Sequence, residues 1–306
     1  MILWIPFCCV RTHSSSSQKN EKMNNQQTFI EACRSGRLDL ARQLLRSGAN
    51  VKLRSGVNVN FQDSYGRTAL EIACSRGYID IARMLLGEFH ANIDILSEDV
   101  IFGSTALMMA CTNGRIDIAR MLLSEFHANI EILNSFGGPT ALEMACRYGR
   151  IDIARMLLGE FHANIDIQDG HGSTALVWAC RNDHIDIARM LLGEYHANIE
   201  IQSKDGSTAL VRACENGHID IARMLLGEFH ANIDIQGKGG RTALMWACEN
   251  GLVDTARMLL VEFHANIDIQ GKDGITAEDC AKSSRYCAMF EALFVERRER
   301  DGYLLK

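Results

Sequence analysis

Thr-Ala-Leu occurs at Thr68, Thr105, Thr140, Thr174, Thr208 and Thr242 and returns as Thr-Ala-Glu at Thr276, with successive gaps of 37, 35, 34, 34, 34 and 34 residues. A fixed period of this length constrains the fold more than any other feature, because it marks one supersecondary unit copied along the chain. A unit so short cannot enclose its own apolar side chains and is stable only when stacked on its neighbours. A length of 306 residues therefore does not imply two globular domains.

One unit, Gly206 to Gly239, shows what is being copied. Thr208 stands before the apolar run Ala209, Leu210, Ala213 and Cys214, which predicts an N-cap and a first helix. Asn216-Gly217 ends that helix, since glycine tolerates the left-handed conformation of helix ends. Thr68 with Glu71, and Thr140 with Glu143, have the spacing of a capping box. A second helix follows, in which Ile219, Ile221, Ala222, Leu225 and Leu226 form a stripe too broad for a helix facing water. Each helix is about ten residues long, marginal in isolation. The pattern thus predicts an all-α repeat solenoid, built of stacked helix-turn-helix units joined by short hairpin-like loops.

Read in order, TALVRAC, ENGH, IDIARMLL and HANIDIQ resemble the ankyrin repeat, whose family pattern is a turn, then T-P-L-H-x-A, then two antiparallel helices. The resemblance covers residues 28 to 300, nearly the whole chain. It implies a non-catalytic protein-binding scaffold or adaptor that receives its partner in a concave groove. Variants of that reading are an adaptor that recruits substrates to a ubiquitin ligase and an inhibitor of a partner enzyme. The chain departs from the family pattern in regular ways. Alanine replaces proline at the first helical position. The family histidine becomes Glu71, Met108, Glu143, Val177, Val211 or Met245, so its usual hydrogen bond is absent or replaced. One inserted residue lengthens the unit and puts His90, His127, His162, His196, His230 and His264 where glycine is normal. Histidine is among the few residues enriched at positive φ, so this column reads as helix C-caps.

Residues 24–300 form the expected repeat domain, with about eight units including both caps. Residues 1–23 read as a disordered or non-native extension, and residues 301–306 as a tail. In MILWIPFCCV the first basic residue, Arg11, follows the apolar stretch, which does not suit a secretory signal. Thr28 to Leu45 is the first helix pair. RSGANV at Arg46 is then echoed by RSGVNV at Arg54, an excess of eight residues that reads as loop slack. At the other end Lys282, Glu296, Arg297 and Arg298 suggest a C-terminal cap with a polar side.

Several function classes are disfavoured. A net charge of −6 argues against a nucleic-acid binder, and no apolar run is long enough to span a membrane. Seven of eleven cysteines, Cys33, Cys74, Cys111, Cys146, Cys180, Cys214 and Cys248, share one repeat position. Packed helices lie about 8–10 Å apart and a disulfide needs Cα atoms within about 7 Å, so these thiols read as free core residues in a reducing compartment. The expected location is the cytoplasm, with the nucleus left open. The same spacing removes the histidine column as a shared metal site. Asp80 and Arg83, and their counterparts down to Asp254 and Arg257, read as i,i+3 ion pairs on the second helix. Phosphate-binding loops, nucleophile elbows and zinc-helix motifs are missing, so no enzyme, cofactor or metal is expected. A monomer is expected.

What varies against this uniform scaffold is the candidate partner surface. Four residues after the signature threonine stand Ile72, Met109, Met144, Trp178, Arg212 and Trp246. One turn further on lie Arg76, Arg147 with Tyr148, Arg181, Glu215 and Glu249, on the same stripe. With the turn tips, among them Tyr65, Arg67, Phe102, Phe136, His171, Lys204, Asp205, Lys238 and Arg241, they would line the groove that the resemblance implies. Trp178, Arg212 and Trp246 are the expected anchors, since tryptophan and arginine dominate interface energetics. The stripe changes from arginine to glutamate along the chain, which suits a partner with acidic groups first and basic groups second.

Overall fold

The computed structural model describes residues 13–48, 57–97, 103–133 and 137–300. Among the described residues there is no strand. The chain divides into two compact units, Met1–Asn129 and Ile130–Lys306. The first holds α1 (His13–Arg34), α2 (Leu38–Gly48), α3 (Ala69–Arg76), α4 (Ile79–Gly87), α5 (Ala106–Thr112) and α6 (Ile116–Ser124). The second holds α7 (Ala141–Arg147), α8 (Ile151–Gly159), α9 (Ala175–Arg181), α10 (Ile185–Gly193), α11 (Ala209–Glu215), α12 (Ile219–Gly227), α13 (Ala243–Glu249), α14 (Val253–Arg257), α15 (Ala277–Lys282) and α16 (Cys287–Arg300). A π-helical turn, Met258–Glu262, continues α14.

Every signature threonine from Thr68 to Thr276 is an N-cap in extended backbone whose hydroxyl accepts the N–H three residues on. The capping boxes expected at Thr68 and Thr140 close, with Glu71 Oε2 and Glu143 Oε2 accepting the threonine N–H. Asp279 does the same for Thr276 at 3.1 Å, and the Met108 sulfur does it for Thr105 at 3.4 Å.

First helices end on left-handed glycines such as Gly77, Gly149 and Gly217. Asp183 occupies that place after α9 with φ 62°. A left-handed non-glycine residue costs about 1–2 kcal/mol, so Asp183→Gly should raise stability by ~1 kcal/mol. Urea denaturation of the single variant checks this. The second helices end as the histidine column predicts: His90, His127, His162, His196, His230 and His264 all have φ between 50° and 58°. In each case the next alanine donates back over the turn, as from Ala91 N–H to Leu85 O at 2.9 Å. This is the Schellman closure.

First helices pack on first helices and second helices on second helices. In the first unit α1, α3 and α5 stack, as do α2, α4 and α6; in the second, α7 to α15 form the odd row, and α8, α10 and α12 the even one. The Ile-Ala-Met-Leu-Leu stripe of the second helices is buried, as at Ile221, Ala222, Met224, Leu225 and Leu226. So is the whole cysteine column, and none of its thiols forms a disulfide. Burial pushes the Cys33, Cys111 and Cys214 thiols up to about 12, which makes them poor nucleophiles.

The i,i+3 pairing read from the sequence is met at Asp220 and Arg223, 3.7 Å apart, but closer contacts carry several of these arginines into the next repeat. Arg83 donates to Glu125, Arg155 to Glu194 and Arg189 to Glu228, each at 2.9 Å, and Arg223 makes a two-pronged contact with Glu262 at 3.0 Å. The long guanidinium spans the gap between second helices, while the short aspartate side chain stays in solvent. Such exposed pairs contribute about 0–1 kcal/mol each.

The return loops are cross-linked more directly. Asn92 N–H donates to Asn60 Oδ1 at 2.9 Å, and Asn129 N–H to Asp94 Oδ1 at 3.2 Å. In the second unit Asn164, Asn198, Asn232 and Asn266 donate in the same way to Glu131, Asp166, Glu200 and Asp234. Gln168, Gln202 and Gln236 add a parallel row, each amide donating to the carbonyl of the next glutamine.

The ends depart from expectation. Helix α1 starts at His13, so residues 13–23 continue a helix through a stretch expected to be unstructured. Adding turns to a formed helix costs far less than starting one. At the other end Phe290, Leu293 and Phe294 of α16 are buried, yet Met289 and Val295 are half-exposed beside the expected charged face. The loop excess after Arg46 falls largely on residues 49–56, outside the described residues, as do Phe102 and Phe136.

Candidate protein-binding site

The turn tips before the first helices are held by carboxylates. In the first unit Asp63 Oδ1 accepts the N–H groups of Tyr65 and Arg67 at 2.9 and 3.0 Å. In the second, Asp169 Oδ1 accepts those of His171 and Ser173, each at 2.8 Å. Each carboxylate has a second oxygen to spare, and it fixes a side chain of the varied stripe. Asp63 Oδ2 receives Arg34 at 3.1 Å and Arg67 at 2.9 Å. Burial pushes the Asp63 carboxyl up, but the Arg67 guanidinium and the two backbone N–H groups outweigh it and leave it below its ordinary range.

In the second unit Asp169 Oδ2 accepts from the Trp178 indole at 3.1 Å. Asp205 Oδ2 pairs with Arg212, which also donates to Glu215 at 2.7 Å. Burial raises the Asp205 carboxyl, yet Ser203, the Ser207 N–H and Arg212 bring it down to about 2. Arg241 reaches Asp273 at 3.1 Å and Glu249 at 3.9 Å.

These contacts sort the expected site residues. Trp178 is 8% exposed, so its face meets neighbouring side chains more than solvent. The Arg147 guanidinium lies 4.5 Å from its ring centre and that of Arg181 5.5 Å. Tyr148 takes Arg147 on its own ring at 5.5 Å and is 42% exposed. Arg212 spends its charge on Glu215 and Asp205. Trp246 is half-buried, while Glu249, His171 and Lys204 are exposed. In the first unit Tyr65 is 63% exposed and carries Arg67 4.7 Å above its ring.

Arg147, Tyr148 and Arg181 thus lie around Trp178, whereas the two terminal nitrogens of Arg212 are taken by Asp205 and Glu215 and its buried Nε has no partner. Sequence reasoning missed the buried turn carboxylates Asp63 and Asp169 and the part of Arg34. The recurring Gln-Asp before a turn glycine, Gln62-Asp63 and Gln168-Asp169, was the available signal.

Among the described residues no three His, Cys, Asp or Glu side chains are grouped as a metal site would require. None of the described helices is long and apolar enough to cross a membrane. No curated protein matches the chain. The family model for ankyrin repeats, in three copies, matches residues 7–99, 89–169, 126–205, 158–237 and 178–273. Members of that family are generally non-catalytic protein-interaction modules. With the threonine caps, the paired antiparallel helices and matches that overlap through most of its length, the chain belongs to the ankyrin-repeat family.

Proposed function

We propose that the chain is a protein-binding scaffold or adaptor, and that Arg147, Tyr148 and Arg181 are the centre of its contact surface in the second unit. The observation that carries this reading is the pair of guanidiniums stacked on one buried indole. Stacking on an aromatic face holds both arginine side chains in place over the indole, where their guanidiniums can meet an acidic partner. Exposed Tyr148 supplies apolar area at small entropic cost. Arginine and tyrosine together are the composition of binding hot spots. Trp178 acts from beneath as the support, and Trp246, Arg212, Glu215 and Glu249 form a second, more acidic stretch of the same row of first helices. Buried thiols that form no disulfide fit action in a reducing compartment.

Charge reversal tests it. The Arg147→Glu/Arg181→Glu variant, checked by circular dichroism for unchanged helicity, should lose the protein that wild type retains from host lysate. With that protein purified, the variant's association rate at low salt should fall about tenfold or more, with a smaller fall at high salt. Retention of the same proteins by both chains, or an unchanged on-rate, rejects the assignment.

A further inference from the structure

In the first unit the face of α3 borders a pocket of about 240 Å3, whose polar walls include Arg34, Arg67, Arg76, Glu71, Ser97 and Ser104. Its charge can be counted from the contacts. Arg34 and Arg67 share Asp63 behind the wall, and Arg34 also meets Glu31 at 2.8 Å. Arg76 is exposed and has no carboxylate partner among the described residues. Glu71 is 2% exposed, and its Oε1 has no hydrogen-bond partner. Burial, partly offset by the Thr68 N–H, raises this carboxyl to about 8, so it is neutral near pH 7. Three guanidiniums against Glu31 and Asp63 leave one positive charge in excess, in a chain whose net charge is −6.

We propose that this pocket binds a single carboxylate. One excess positive charge suits a monoanion better than a phosphate dianion, and a guanidinium fork matches the planar carboxylate. The volume lies below the roughly 300–1,000 Å3 of ordinary ligand sites and fits one short side chain. Two sources share this chemistry: a glutamate or aspartate side chain of a bound protein, and a free small carboxylic acid. The inference uses none of the residues of the Arg147 patch, so either reading stands if the other falls.

The test follows the arginine Nε–H signals of the full chain by NMR during titration. Probes are N-acetyl-glutamate α-amide, its glutamine counterpart, and a capped glycine–serine peptide with one central glutamate or glutamine. Both glutamate probes should shift the Arg67 and Arg76 signals saturably, and both glutamine probes should not. Arg76→Gln, at an exposed helix end where folding is not at stake, should weaken glutamate-probe binding about tenfold, and Arg76→Lys should weaken it less. A peptide that binds about tenfold tighter than the capped amino acid identifies a protein-borne carboxylate, and equal affinities identify a free acid. Shifts that never saturate, equal shifts with the glutamine probes, or an Arg76→Gln chain that binds like wild type would each overturn the proposal.

Discussion

A chain carrying Glu71→Gln and Glu143→Gln is expected to be markedly more stable than wild type at about pH 9 and nearly equal to it at about pH 4. Both carboxyls are buried, and burial raises each to about 8 despite the N–H of its capping threonine. The folded chain therefore keeps two protons that the unfolded chain releases near the ordinary carboxylate value. Stability from a group raised in this way is fully present below the unfolded pKa, about 4.3, and is lost as pH climbs through the folded value. Glutamine stays neutral at every pH, and its carbonyl oxygen can still accept the threonine N–H, as capping boxes allow. The gap should open between about pH 4.5 and 8, then level off, at about 5 kcal/mol for each site. Urea denaturation across that range measures it. A gap that stays constant with pH would mean that the carboxyls ionise within the fold without penalty.

A second large effect is expected at a turn tip. Gly172 has φ 77°, and a Cβ placed there would stand 2.6 Å from the Lys204 backbone nitrogen. That nitrogen is held, because its N–H donates to His171 O at 2.8 Å and joins two successive repeats. Gly274 has nearly the same backbone, φ 75°, with nothing within 4 Å of the added carbon. Gly274→Ala should therefore cost only the left-handed strain, about 1–2 kcal/mol. Gly172→Ala adds a backbone clash and should cost ~3 kcal/mol or more. The difference between the two variants in one denaturant series isolates the clash. Equal losses would show that the loop moves aside freely.

The scaffold was legible because it depends on local rules repeated many times. A threonine cap, a left-handed histidine and a Leu-Leu stripe each act within a few residues, and a period of 34 residues repeats the same signal along the chain. Pairings between repeats were less legible. Arg83 has Asp80 one turn away and Glu125 far away in sequence, and only the stacking of α4 on α6 decides between them. Trp178 is the sharper lesson. A tryptophan at a variable position has the composition of an interface anchor, but whether its face meets a partner or a neighbour depends on Asp169 and Arg147, which lie on other segments. The arginine pocket is least visible of all. Its wall joins Arg34, Arg67 and Ser97, and no spacing rule relates a helix end to a return loop.

The cross-repeat links have an evolutionary corollary. From Gln168 onward each loop hands its amide to the next glutamine's carbonyl, and Asp166, Glu200 and Asp234 each receive the following asparagine's N–H. Successive junctions in this stretch are chemically interchangeable, so recombination between matching points can excise or insert a whole unit and leave a joint of the same kind. Array length can thus change without a new joint having to be invented. The outward stripe, which takes no part in those joints, is left free to diversify at its own pace.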